Sequence, residues 1–199
     1  MRLSFAILYL TAVAYVQAQT PAIASAQPNP VNAGGPAFTL TVNGSGFASG
    51  AVVKWSGAAL ATTFVSDSLL TATVPASLIA ICGKAPLTVT NPLGVNSNSN
   101  YAVLVNPVLN GLSPNVVPAG NGGFGITASG LGFSSNVALI LNGSDGRTTL
   151  STNYNSTTTL TAFIPASALT GVFPVSLQVT DPTSGGSSQT LPVTLTYAQ

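Results

Sequence analysis

Histidine and glutamate are absent from this 199-residue sequence, cysteine and tryptophan occur once each, and charged residues make up only 4% of it. Without an imidazole, neither a Ser-His-Asp nor a Cys-His arrangement can be built, and the many serines and threonines stay weak nucleophiles with no base beside them. General acid-base work would fall to Asp67, Asp145, Asp181, Lys54, Lys84, the tyrosines or the termini. One thiol and no imidazole exclude a zinc site. Calcium takes carboxylates and carbonyls, so Asp145-Gly146 and Asp181 are the candidate ligands; both read better as turn residues whose carboxylates accept backbone hydrogen bonds. Cys82 has no intramolecular disulfide partner. The four basic residues, Arg2, Lys54, Lys84 and Arg147, are too few and too scattered for the phosphate contacts of nucleic-acid binding or for attachment to an acidic membrane. No catalytic, cofactor or metal position is assigned, no ligand-binding residue can be named, and an enzyme is not expected.

What the chain does contain is 46% hydrophobic residues set among Thr, Ser, Asn and Gly, a composition that folds rather than stays disordered. At the N-terminus, Arg2 precedes an apolar run from Phe5 to Val16, and Val16-Gln17-Ala18 offers small residues to a signal peptidase. A signal peptide over residues 1–18 is expected, with Gln19 as the mature N-terminus and no transmembrane anchor after cleavage. Loss of Arg2 leaves three basic and three acidic residues, a formal charge of zero, so solubility rests on hydroxyls and amides and self-association is open to the molecule.

The remainder is an internal repeat. Pro21, Pro28-Asn29, Ala33-Gly34, Phe38, Gly44, Gly46 and Phe47 recur 86 residues later as Pro107, Pro114-Asn115, Ala119-Gly120, Phe124, Gly130, Gly132 and Phe133. Leu70, Val74-Pro75, Leu87, Val89 and Pro92 recur 90 residues later as Leu160, Ile164-Pro165, Leu177, Val179 and Pro182. The four extra residues of the second copy fall between Gly143 and Leu160, where Ser144-Asp145-Gly146-Arg147 reads as a loop. The division expected is 1–18 signal peptide, 19–105 first unit and 106–199 second unit, with Asn106 a short hinge.

Each unit has the periodicity of strands. Phe38, Leu40 and Val42 alternate with threonines, as do Leu87 and Val89, while Val137, Leu139 and Leu141 and then Val175, Leu177 and Val179 repeat the pattern. Turn signals stand between the runs at Asn43-Gly44, Ser56-Gly57, Asn91-Pro92, Asn142-Gly143 and Asp181-Pro182. The fold class is therefore all-β, two tandem immunoglobulin-like antiparallel β-sandwiches of about seven strands each.

The two copies also sort the conspicuous side chains. Trp55 corresponds to Leu141 and reads as core rather than as a stacking platform; Cys82 corresponds to Val172 and reads as a small buried apolar group. Tyr101 matches Leu191 and Tyr154 matches Phe64, so both read as core, the Tyr101 hydroxyl reaching the rim. No charged residue of one copy has a charged counterpart in the other, so a charge-based site must belong to one copy alone. Asn43, Asn142 and Asn155 stand in Asn-x-Ser/Thr triplets that serve as glycosylation acceptors only in a host with that machinery.

The order Pro-x-[Ile/Leu], Pro-Asn, a glycine turn, Gly44-Ser45-Gly46-Phe47 or Gly130-Leu131-Gly132-Phe133, a Leu-Thr-Ala-x-[Val/Ile]-Pro strand and an Asn/Asp-Pro turn resembles the IPT/TIG family of immunoglobulin-like domains over essentially the whole mature chain. The resemblance implies a seven-stranded sandwich of the kind found in cell-surface receptors, Rel-type DNA-binding proteins, extracellular glycan-processing enzymes and bacterial surface proteins, with no universal catalytic residue to carry over. The expected function is an extracellular or cell-surface, non-enzymatic interaction or structural module for a protein or surface partner. The alternative is a carbohydrate-binding accessory protein acting beside a separate glycan-processing enzyme.

Overall fold

The computed structural model describes residues 19–98, 100–118, 122–143, 146–169 and 174–196. The expected signal peptide, the Ala119-Gly120 repeat match, Asp145 and Val172 lie outside them.

In the first half the strands are β1 (Ala22–Gln27), β2 (Val31–Asn32), β3 (Phe38–Ser45), β4 (Val52–Trp55), β5 (Ala58–Ala59), β6 (Ala61–Ser66), β7 (Leu69–Val74), β8 (Gly83–Thr90) and β9 (Tyr101–Asn106). The second half repeats them as β10 (Val108–Ser113), β11 (Val116–Pro118), β12 (Phe124–Leu131), β13 (Ala138–Gly143), β14 (Gly146–Thr149), β15 (Thr152–Ser156), β16 (Thr159–Ile164), β17 (Val175–Thr180) and β18 (Leu191–Thr196). They form four sheets in the orders β1-β3-β7-β6, β2-β9-β8-β4-β5, β10-β12-β16-β15 and β11-β18-β17-β13-β14. Each half is thus a four-stranded sheet packed on a five-stranded one, a two-layer immunoglobulin-like sandwich. Two pairings depart from the expected antiparallel pattern: β2 runs parallel to β9, and β11 parallel to β18. The chain crosses from one sheet to the other between β1 and β2, and β2 enters the far sheet beside the last strand in the parallel sense.

The alternation read from the sequence is the burial pattern of the strands. Leu40, Val42, Leu70, Ala72 and Val74 of one sheet face Val53, Trp55, Leu87, Val89, Val103 and Val105 of the other, all in one core. A second core gathers Ile126, Ala128, Leu160, Ala162 and Ile164 against Leu139, Leu141, Val175, Leu177, Val179 and Val193. Each such leucine or valine contributes about 1.5 to 3 kcal/mol by leaving water, and the outward positions between them are left to Thr, Ser and Asn.

Hydrogen bonds outside the ladders recur with the same offsets. Phe47 N–H donates to the Asp67 carbonyl and Phe133 N–H to that of Thr157, both at 2.9 Å. Val53 N–H donates to Thr62 Oγ1 at 3.0 Å and Leu139 N–H to Thr152 Oγ1 at 2.9 Å. The four-residue insertion lengthens a hairpin rather than adding a free loop: Gly146 and Arg147 open β14 and pair with Gly143 and Asn142. In the first copy the same connection is the tight turn Ser56-Gly57, with φ of 48° and 88°, the two left-handed residues of a type I′ hairpin.

Asn43-Gly44 is not a turn, since it continues β3 and pairs with β1. The glycine is needed for close approach. A methyl group on Gly44 would overlap the Ala22 carbonyl and the Phe47 ring, and one on Gly130 would overlap the Val108 carbonyl and the Phe133 ring. Each Gly-x-Gly-Phe motif thus lays a fully buried phenylalanine over its own strand.

Candidate binding surface

Charge is distributed very unevenly between the two layers. Lys54 lies on β4, Lys84 on β8 and Arg147 on β14, all in five-stranded sheets. The four-stranded sheets β1-β3-β7-β6 and β10-β12-β16-β15 contain no charged residue on any strand. Their outer faces carry rows of hydroxyls and amides set by register. Across the first run Gln27, Thr41, Thr71 and Thr63; across the second run Ser113, Thr127, Thr161 and Asn153. Strands 4.7 to 4.9 Å apart hold these groups in a close flat array.

The aromatic side chains divide differently from expectation. Trp55 is 2% exposed and meets Phe38 edge-on, with ring centroids 6.4 Å apart and planes at 75°. Tyr101 is half-buried, and its hydroxyl accepts from Ala26 N–H at 2.9 Å, closing part of the free edge of β1. Phe64 and Tyr154 are not core: they are 37% and 42% exposed. Each shares the inward side with a buried partner, Leu70 or Leu160, but β6 and β15 are edge strands with a ladder partner on one side only. Phe163, which the sequence reading passed over, is 55% exposed. Its signal lay in the alternation of β16, where Leu160, Ala162 and Ile164 point inward and Phe163 must therefore point out.

A shallow groove of about 400 Å³ lies in the first sandwich, lined by Ala58, Leu60, Ala61, Thr73, Pro75 and Leu78. It holds no charged or aromatic group and offers a ligand little beyond apolar wall. Among the described residues no three carboxylate, thiol or imidazole groups gather as a metal site would require. Of the triplet asparagines, Asn43 and Asn155 are exposed, whereas the Asn142 amide nitrogen is buried with no hydrogen-bond partner.

Asp181 occupies the place of Asn91 in the repeat, and the two side chains do different work. Asn91 donates from Nδ2 to the carbonyls of Gly46 at 2.7 Å and Gln19 at 2.9 Å, and accepts from Ala48 N–H at 3.1 Å. A carboxylate can only accept. Asp181, 2% exposed, turns onto its own loop and accepts from Thr183 N–H at 2.9 Å, Thr183 Oγ1 at 2.6 Å and Ser184 Oγ at 2.7 Å. Burial by itself would raise its pKa, but these donors outweigh it and hold the carboxyl below its ordinary 3.8.

A depressed carboxyl contributes stability that is complete above the unfolded value, near 3.9, and is lost as pH falls through the folded one. Acidification below about pH 4 is therefore expected to lower the melting temperature of the second sandwich. Asp181→Asn should flatten that dependence relative to the parent, and identical acid profiles for the two would refute the assignment.

The donor that Asp181 cannot supply comes from the first sandwich. Cys82 N–H donates to the Gly132 carbonyl at 2.8 Å, in the role Asn91 Nδ2 has toward Gly46. Cys82 is buried as expected, but in the core of the second sandwich rather than the first. Its Sγ lies 3.8 Å from Ser134 Oγ. Burial pushes the thiol pKa up and the nearby Asp181 charge pushes it the same way, which leaves it protonated and unreactive at neutral pH. Gly132, at φ +71°, sits against Ala33 and the Ala80 carbonyl, and Leu131 lies over Gly34. Asn106 is no hinge: it ends β9 and its carbonyl accepts from Ala33 N–H at 2.8 Å. The sandwiches meet through a docked junction.

No curated protein matches the sequence. Among solved structures, the plexin A4 extracellular region is 16% identical, with 99% of this chain and 20% of that chain covered and a TM-score of 0.36. The human OSCAR ligand-binding domain is 19% identical over 87% of this chain and 98% of that one, with a TM-score of 0.33. The Bacteroides ovatus mixed-linkage glucan utilization locus protein SGBP-B, solved in complex with a mixed-linkage heptasaccharide, is 14% identical over 84% of this chain and 43% of that chain, with a TM-score of 0.29. The chain thus spans about a fifth of the plexin structure and less than half of the Bacteroides one. Residues 21–104 match the sequence profile described as the IPT/TIG domain. That segment spans the first sandwich from before β1 into β9, and over it the chain is similar to the IPT/TIG domains.

Proposed function

We propose that this protein is an extracellular, non-catalytic interaction module in which two docked sandwiches present their charge-free four-stranded sheets to a partner at a cell surface. On this reading residues 1–18 are a cleaved signal peptide, and residues 19–105 and 106–199 are two units of one family, the second repeating the strand order of the first. The observation that carries the reading is the segregation of charge: among the described residues, every charged residue on a strand lies in the five-stranded layer. Two faces are left without charge, carrying hydroxyl and amide groups together with a few exposed apolar side chains such as Phe163. A surface of this kind binds by shape and hydrogen bonding, not by electrostatic steering. The described residues contain no helix long and apolar enough to cross a membrane.

Labelled protein of residues 19–199 is expected to bind intact cells of the producing species saturably, with affinity unchanged by high salt or by chelators. Binding that disappears on raising the salt concentration would refute the reading. Exposure of one aromatic on the charge-free face of the second sandwich favours, as a second reading, carbohydrate binding beside a separate glycan-processing enzyme.

A further inference from the structure

We propose that the outer face of β10-β12-β16-β15 carries a binding platform for a neutral polysaccharide, with Phe163 as the stacking ring and Gly125 as its open floor; this rests on the reading of that face as a partner surface.

Four observations meet there. Phe163 is 55% exposed on an outward strand position, where the ring has no role in the core. Its cross-strand partner is Gly125, and a methyl group placed on Gly125 would find no atom within 4 Å. The space beside the ring is therefore vacant at the level of the sheet. The ring leans over Gly123, whose added methyl would lie 2.5 Å from Phe163 Cζ, so a second glycine lets the ring lie low on the sheet, turned away from the vacancy at Gly125.

The surrounding outward groups are Thr127, Thr161 and Asn153, in one row across three strands, with Asn155 accepting from Thr161 Oγ1 at 3.0 Å. They provide donors and acceptors on the side of the vacancy away from Gly123. An exposed aromatic face beside fixed hydroxyl and amide groups complements a pyranose ring, which presents C–H bonds on one face and hydroxyls around its rim.

The absence of charge selects among sugars. No strand of the sheet carries a charged residue, and the turn joining β15 to β16 has Thr157 where the first copy has Asp67. A uronate or sulfated chain would find no cation to pair with, whereas a neutral chain loses nothing. The platform belongs to the second copy alone. In the first, Thr73 stands at the place of Phe163 and Thr39 at that of Gly125, and these two pair across β3 and β7. The first copy therefore supplies substitutions that the same fold already accommodates.

The test is depletion from solution by cellulose, curdlan, chitin and mannan, with calcium alginate beads as the acidic contrast. The parent, Phe163→Thr and Gly125→Thr are compared, each after its melting temperature has been verified, with Phe163→Trp as the conservative variant. The parent and Phe163→Trp are expected to be depleted by at least one neutral polysaccharide and not by alginate, and each threonine variant to bind roughly tenfold more weakly. The proposal is overturned by depletion on alginate only, by no depletion on any neutral polysaccharide, or by threonine variants that bind like the parent. Should those variants still bind cells, the platform falls while the broader reading of the module stands; should the parent fail to bind cells, the module reading falls first.

Discussion

Replacing Trp55 by alanine is expected to unfold the first sandwich and leave the second folded. The indole is buried in a core separate from that of the second half and is the edge-on partner of Phe38. Truncating a buried aromatic to alanine costs about 3 to 5 kcal/mol, because the lost transfer energy is joined by the cavity left behind. A domain of this size has about 5 to 15 kcal/mol in total, so much or all of its margin is lost. The second sandwich should keep its own transition, lowered because the Cys82 contact to Gly132 and the shared packing at the junction go with the first. Calorimetry would show two separated transitions in place of the parent profile. A Trp55→Ala protein that melts like the parent would contradict the burial of that side chain.

Gly132→Ala is expected to break the junction and draw Cys82 out of the second core while both sandwiches stay folded. The added methyl would overlap the Ala33 side chain and crowd the Ala80 carbonyl. A non-glycine residue at φ +71° costs about 1 to 2 kcal/mol more for the left-handed conformation. The sandwiches must separate at this point, and the Cys82 N–H bond to the Gly132 carbonyl must lengthen or break. Cys82, only 7% exposed in the parent, becomes accessible. Its labelling by a maleimide under native conditions should rise at least tenfold, on the order expected when a protected site opens by 1.4 kcal/mol or more. Unchanged labelling would mean that the docked arrangement is not the one in solution.

The strand pattern was legible because burial on a sheet has period two and these strands keep it without interruption. The repeat was legible because turn and core residues stay in register between copies. The core assignment of Trp55 followed from its counterpart Leu141, which is also buried.

Several readings failed for identifiable reasons. Asn43-Gly44 has the composition of a turn, yet the glycine serves close packing under Phe47. Tyr154 and Phe64 occupy inward positions, but inward means buried only in the middle of a sheet, and edge position is a property of topology. Cys82 fills the core of the neighbouring sandwich, a long-range contact that no local pattern encodes. The side of the molecule suited to binding was equally hidden, since the layer that receives the charges is decided by which strands pair. Phe163 could have been found by following the alternation of β16 through to its outward positions.

Charge insertion on one layer and then the other tests the central claim most directly. Thr41→Lys and Thr127→Lys place a cation on the two charge-free faces, and Thr148→Lys places one on exposed β14 in the opposite layer, beside the existing Arg147. With folding verified for each by its melt, binding of the labelled protein to intact cells is measured for all three. The charge-free sheets being the contact surface, Thr41→Lys or Thr127→Lys should weaken binding by roughly tenfold or more, the cost of desolvating an unpaired charge, and Thr148→Lys should bind like the parent. Loss of binding in Thr148→Lys with full retention in the other two would place the contact on the charged layer and contradict the account.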